Sequence, residues 1–221
     1  WRHHFGFDQL KRVIETLQQD PTTRQAVVQM WEASDLGKIT KDKACNMQII
    51  FEIRAGVLNM TVINRSNDLW YGAYGANAVH FSVLQEFVAG AVGLPMGVYR
   101  QFSHNLHLYT NLYDAAKYLD CPPDPMNYDQ YWQGVEPMSL GVTPSNWEHW
   151  LGAAEQFCLD PFTYNPHMPD FLTEVCHPMA MVSKIRKTKA GDGMGWARSI
   201  IATDWQIATM DWVERREKAK K

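Results

Sequence analysis

Two apolar runs, Cys45–Ile53 and Val57–Asn64, are joined by Arg54-Ala55-Gly56 alone. Runs of that length with so short a link pair as an antiparallel hairpin, with Ala55-Gly56 in the turn. The second run alternates Leu58, Met60 and Val62 against Asn59, Thr61 and Ile63 only roughly, as a strand covered on both faces does. The rest of the chain must therefore build a sheet around this hairpin. Its polar residues gather at one end. Cys45 opens the first strand, and Asn64-Arg65-Ser66-Asn67-Asp68 closes the second. A glycine-bearing loop then delivers Asn77 to the head of an apolar helix. A thiol, a guanidinium, a hydroxyl, a carboxylate and an amide leave the ends of a few adjacent elements.

The flanking segments supply that sheet and its cover. Phe5–Gln19 carries Leu10, Val13, Ile14 and Leu17 at helical spacing and is stopped by Asp20-Pro21. Arg24–Trp31 reads as a short buried strand, and Ser34–Lys43 as a polar connection. Asn77–Val92 sets Phe81, Leu84, Val88 and Ala91 on one stripe, widened by Val83 and Phe87, and ends at Gly93. Gly97–Phe102 and Asn105–Tyr109 read as strands; Asn105, His107 and Tyr109 share a face of the latter. Tyr109–Leu119 turns helical. Cys121–Pro144, rich in proline and rings, reads as an ordered loop. Capping-box spacing at Ser145–Glu148 predicts a helix to Phe157, and Thr203–Gln206 predicts another running into the basic end RREKAKK. Glu174–Lys184 reads as a last strand. No repeat appears.

Bulk properties set outer limits. At 221 residues the chain is expected to be one domain, 1–221, with a core of its own. A net charge of −3 gives no general attraction to nucleic acid or to an anionic membrane. No apolar run approaches a membrane span. The four cysteines, Cys45, Cys121, Cys158 and Cys176, lack zinc spacing, so they read as reduced thiols in a cytoplasmic setting, with no metal. Cys176-His177 with His167 reads as a cysteine and loop histidines rather than a metal site. The basic end reads as positive charge at a helix C-terminus, with nucleic acid the weaker alternative. The chain starts at Trp1 with an element already under way, which suggests that an N-terminal portion is missing.

The polar set has a chemistry. A cysteine is the strongest neutral-pH nucleophile among side chains once its thiolate is stabilised, and Arg65, twenty positions on, lies on the facing arm of the hairpin. Arg65-Ser66 suits a phosphate, with Arg24 a second candidate. The Asn77 amide matches the edge of uracil, or simply caps its helix. His107 and Tyr109 suit a sugar hydroxyl, or simply pair on their strand.

In their order these pieces resemble the thymidylate synthase family. The matching segments are WRHHFGFDQL, DPTTR, Met30-Trp31, the Cys45 strand, NRSND at 64–68, the loop to Asn77, and LHLY at 106–109. Together they span Trp1 to Tyr109, with the phage and bacterial branch most similar. The resemblance implies an α+β fold: a mixed β-sheet with flanking helices, dimeric through the sheet. It implies that Cys45 adds to carbon 6 of a pyrimidine nucleotide and that carbon 5 takes a one-carbon unit from the co-substrate 5,10-methylenetetrahydrofolate. Arg65 and Ser66 would hold the phosphate, with Arg65 also activating Cys45, and Arg24 would reach the partner subunit's site. Asp68 and Gly72 would lie on the folate side. Asn77 would read the base, and His107 and Tyr109 would bind the deoxyribose. The activity implied is reductive methylation of deoxyuridylate. The alternative is 5-hydroxymethylation of deoxyuridylate or a cytidylate; a non-catalytic nucleotide-binding paralogue is a third reading. Three departures stand out: Asn46 follows the cysteine where the family usually has histidine, Asn105 replaces an acidic residue, and the C-terminus is basic. Beyond Tyr113 the likeness is weak.

Overall fold

The computed structural model describes residues 2–3, 6–40, 43–111, 131, 133–189 and 191–218. The sequence is expected to form one domain over 1–221; the chain divides into two compact units, Trp1–Cys121 and Pro122–Lys221.

The first unit is built on the hairpin. β1 (Val27–Gln29), β2 (Asn46–Arg54), β3 (Val57–Asn64) and, later in the chain, β5 (Met96–Ser103) form one sheet in that order. The first two junctions are antiparallel and β3 runs parallel to β5, so the sheet is mixed. Ala55 and Gly56 both take positive φ, 52° and 75°, the turn whose twist matches a two-residue hairpin. Cross-strand partners align Val28, Ile49 and Val62 in one row and Phe51 with Met60 in the next, all almost fully buried. Against this face lie α1 (Gln9–Gln19) and α2 (Asn77–Val92). α1 is capped by the Asp8 carboxylate and buries Leu10, Val13, Ile14 and Leu17. α2 ends at Gly93 with φ 80°. Its buried Gln85 donates to the carbonyls of Leu58 and Gly97, tying helix to sheet edge. The opposite sheet face stays open: Met96, Val98 and Phe102 of β5 are more than half exposed.

At the Cys45 end the pairing changes character. Register slips by one residue between Asn46 and Gln48, a bulge, and Met47 O accepts from both Met30 and Trp31 N–H. β4 (Asn67–Asp68) and β6 (Leu106–His107) pair in parallel as a separate two-stranded ribbon, so the strand expected over Asn105–Tyr109 shrinks to two residues. Between β4 and α2, Leu69–Ala76 forms a wide helical turn.

The second unit is helical. α3 (Trp147–Leu159) buries Trp147, Trp150 and Ala153. Its predicted capping box does not form. Asn146 occupies the cap position, accepting from Thr143 N and donating to Gly141 O. The strand expected over Glu174–Lys184 is absent. Leu172–Cys176 is a wide helical turn running into α4 (His177–Thr188). Val175, Pro178 and Val182 are buried at helical intervals, and that periodicity outweighs the β-branched content that suggested a strand. α5 (Gly193–Arg198) and α6 (Thr203–Lys218) complete the unit around Val182, Ala197 and Val213. The helix predicted from Thr203 is present. Nearly all of the helix expected over Tyr109–Leu119, and the first part of the Cys121–Pro144 loop, fall outside the described residues. Among the described residues no helix is long and apolar enough to cross a membrane.

Candidate active site

Cys45 sits exposed just before β2. Arg65, just after β3, lies abreast of it because Arg65 N donates to Cys45 O at 2.9 Å. The guanidinium folds back over the same segment. Its Nε donates to Ala44 O at 2.9 Å, and one terminal nitrogen reaches Lys43 O at 3.0 Å and Cys45 Sγ at 4.0 Å. The Trp31 ring backs it, with the guanidinium carbon 5.2 Å from the ring centre. One arginine thus fixes the chain leading into the cysteine and lays positive charge beside its sulfur. A cation placed so stabilises negative charge on sulfur, the requirement for a nucleophile.

Behind this pair the sheet face turns from apolar to polar. In register, Val62 aligns with Gln101 and Asn64 with Ser103. Asn46 Nδ2 donates to Asn64 Oδ1 at 2.6 Å. Asn67, almost fully buried, donates to Gln101 Oε1 and Ser103 Oγ, both at 3.1 Å, and accepts from Asn77 Nδ2 at 2.9 Å. Asn77 is therefore more than a helix cap: it opens α2 with its amide tied to β4. Its carbonyl accepts from the Tyr99 hydroxyl at 3.3 Å; burial pushes that phenol's pKa upward and keeps it a donor. Asp68 is buried, one oxygen accepting from Tyr71 N–H at 2.6 Å, while Oδ2 has no hydrogen-bond partner among the described residues. A buried carboxylate oxygen in that state is an acceptor held ready for a donor.

The parallel pairing of Asp68 with His107 brings the His107 strand alongside. His107 Nδ1 donates to Asn105 Oδ1 at 3.0 Å, and its ring meets Tyr109 edge-on at 4.9 Å. Ser66 lies half-buried between Arg65 and Asn67. Gly72 is buried for a steric reason: a Cβ there would stand 2.2 Å from Asn67 Oδ1. Arg24 is exposed ahead of β1 and makes no hydrogen bond or ion pair among the described residues. Of the two other histidines considered, His177 is engaged elsewhere, its Nδ1 donating to Pro161 O at 3.2 Å.

Sequence reading placed Asn64 and Asn67 at this strand end without a role and overlooked Gln101 and Ser103. Tyr99, Gln101 and Ser103 recur every second residue, so one face of an otherwise ordinary strand is polar. That alternation was the available signal.

A family model described as thymidylate synthase matches residues 1–123. The deoxyuridylate hydroxymethyltransferase of Pseudomonas phage M6 is 40% identical over 232 residues, covering 99% of this chain and 65% of that protein. A protein of the same name from Bacillus phage SP01 is 41% identical over 110 residues, covering 49% of this chain and 29% of that one. The thymidylate synthase of Streptococcus mutans is 29% identical over 116 residues, covering 51% of this chain and 41% of that one. The chain thus spans less than two thirds of the length of these relatives.

Proposed function

The chain belongs to the thymidylate synthase family, and from that membership we propose that it transfers a one-carbon unit to carbon 5 of deoxyuridylate through a covalent bond to Cys45. The observation that carries the reading is the Cys45–Arg65 pair, Sγ 4.0 Å from a guanidinium, set beside a buried amide cluster that ends in Asn77. In this reading Sγ bonds to carbon 6 of the pyrimidine, and the displaced π electrons make carbon 5 the nucleophile. 5,10-Methylenetetrahydrofolate supplies the one-carbon unit. Loss of the carbon 5 proton and expulsion of the sulfur then restore the ring.

Two endings share this start. Water can add its oxygen to the exocyclic carbon, giving a hydroxymethyl group and tetrahydrofolate. A hydride from the folate can instead give a methyl group and dihydrofolate. Sequence reading put methylation first. Hydroxymethylation takes precedence because the phage M6 relative aligns over 99% of this chain, past residue 123 where the family match ends. Methylation stands as the second reading, supported by the relatives named thymidylate synthase.

Arg65 and Ser66 would hold the phosphate, His107 and Tyr109 the sugar, Asn77 the base, and Asp68 with the Gly72 turn the folate side. Arg24 would serve the site of a second copy. The open face of β5, with Val98 and Phe102 more than half exposed, offers that copy an apolar surface. The deciding experiment incubates the protein with deoxyuridylate and methylenetetrahydrofolate and weighs the nucleotide product. A gain of a hydroxymethyl group is expected. A methyl gain with dihydrofolate selects the second reading, and no product, with no Cys45 adduct to the 5-fluoro analogue, removes both.

A further inference from the structure

The amides around Asn77 form a relay whose direction is set from one end. That end is the carbonyl of Ala73, which can only accept. Gln101 Nε2 donates to it at 2.8 Å, so Gln101 turns its oxygen the other way. That oxygen accepts from Asn67 Nδ2 at 3.1 Å, and the same nitrogen also donates to Ser103 Oγ. Asn67 Oδ1 remains, and it accepts from Asn77 Nδ2 at 2.9 Å. One backbone carbonyl therefore dictates three amide orientations in turn. Asn67 is 2% exposed, so water does not compete for its amide. Gly72 closes the space beside Asn67 Oδ1, where a Cβ would come within 2.2 Å. At the open end, Asn77 Oδ1 accepts from no described residue, and one N–H of Asn77 is left over.

A freely turning amide discriminates poorly. Half a rotation exchanges its donor and acceptor. Uracil presents a donor at N3 and an acceptor at O4; cytosine presents an acceptor at N3 and a donor at N4. We infer that Asn67 and Gln101 are positioning residues that lock the Asn77 amide for a 4-keto pyrimidine nucleotide and against its 4-amino counterpart. The inference rests on the base-facing role proposed for Asn77 above. What it adds is that selection resides in residues that do not touch the base. With Asn77 Nδ2 tied to Asn67, a cytosine in the place of uracil meets donor against donor and lone pair against lone pair, and the amide cannot turn to relieve either without breaking the relay.

The test compares kcat/KM for deoxyuridylate and deoxycytidylate in the intact protein and in Gln101→Leu, Gly72→Ala and Asn67→Ala. Exchange of the Asn77 side-chain NH₂ protons is followed in parallel on ¹⁵N-asparagine-labelled, ligand-free protein. In each variant the uracil-over-cytosine ratio falls about tenfold, the worth of roughly one net hydrogen bond. The change appears mainly in KM, and the Asn77 NH₂ protons exchange faster. Gln101→Leu and Gly72→Ala leave Asn67 in place, so failure of Asn67→Ala to fold does not remove the test. An equal loss on both nucleotides with the ratio unchanged, as a merely structural role would give, overturns the inference, and so does unaltered NH₂ exchange. If the intact protein turns over neither nucleotide, the proposed function falls and the selection with it, whereas the NH₂ exchange still decides whether the relay exists.

Discussion

Cys45 and Cys176 place the same side chain in opposite settings, one in each unit. Cys45 is exposed, with a guanidinium 4.0 Å from its sulfur and no helix around it. Cys176 lies in the turn leading into α4; burial, with Cys158 adding to it, pushes its thiol up to about 12. The first setting leaves a sulfur reachable beside a cation; the second makes charge on the sulfur costly. The difference comes from the surrounding chain. A strand end leaves backbone carbonyls for Arg65 to grip, so an arginine can be held over a cysteine at low entropic cost. A helical turn consumes its own carbonyls, and burial there makes charge on the sulfur costly. An exposed thiol beside a guanidinium is thus a product of where the sheet ends.

The largest expected effect follows directly. Cys45→Ser lowers one-carbon transfer by at least about 10³-fold, and Cys176→Ser leaves it within about twofold, both read from product mass. Iodoacetamide labels Cys45 in the native protein and reaches Cys176 only after denaturation. A Cys176 that labels natively would break the contrast. Next, Phe51→Ala, in the centre of the hairpin face, costs about 3–5 kcal/mol. Denaturant melts followed by hairpin amides are expected to shift, while those followed by α4 and α6 amides shift less; equal shifts would show that the units unfold together. Arg65→Lys keeps the charge but loses the planar fork that holds Lys43 O and Ala44 O. It lowers kcat/KM about 10–100-fold, with Cys45 still labelled; full activity would show that charge alone suffices.

The smallest effect is in pH. Asp8 caps α1, and although burial alone would raise its pKa, the Arg2 hydrogen bond and the Lys11 N–H hold it below its usual 3.8. A depressed carboxyl favours folding above its unfolded pKa, so the first unit loses this contribution as pH falls below about 3.8, under about 1 kcal/mol for a partly exposed pair. Cys176 works on the other flank. Its raised pKa means the unfolded chain ionises first, so the second unit loses stability as pH rises from about 9 toward 12, by at most about 1.4 kcal/mol per pH unit. Thermal melts of Asp8→Asn and Cys176→Ser across pH should each flatten one flank only.

The hairpin, α1 and α2 were legible because pattern and punctuation agreed. Ala55-Gly56 could be read as a turn, Asp20-Pro21 and Gly93 as stops, and the buried stripe as a helix face. Cys45, Arg65 and Asp68 stood out because a charge or a thiol at a strand end has few structural uses. The amide relay did not stand out. Asn67 and Gln101 are neutral, common and far apart in sequence, and only the parallel pairing of β3 with β5 aligns Gln101 with Val62. That register is a long-range fact, and no local pattern encodes it. The α4 segment was misread for a related reason. Val175 and Val182 favour a strand by type, and the pairing that would have made them one was absent.

The slip between Asn46 and Gln48 gives the site a dependence on counting. β2 spends one residue more than β3 over that interval, and so Cys45, not Asn46, ends level with Arg65. Removing the slip in the unaltered sequence would displace the thiol by one strand position, about 3.3 Å. Insertion of a single residue beside Met47 is thus a sharper instrument than any substitution there. It changes the frame in which Cys45 is set while leaving every functional group in the chain.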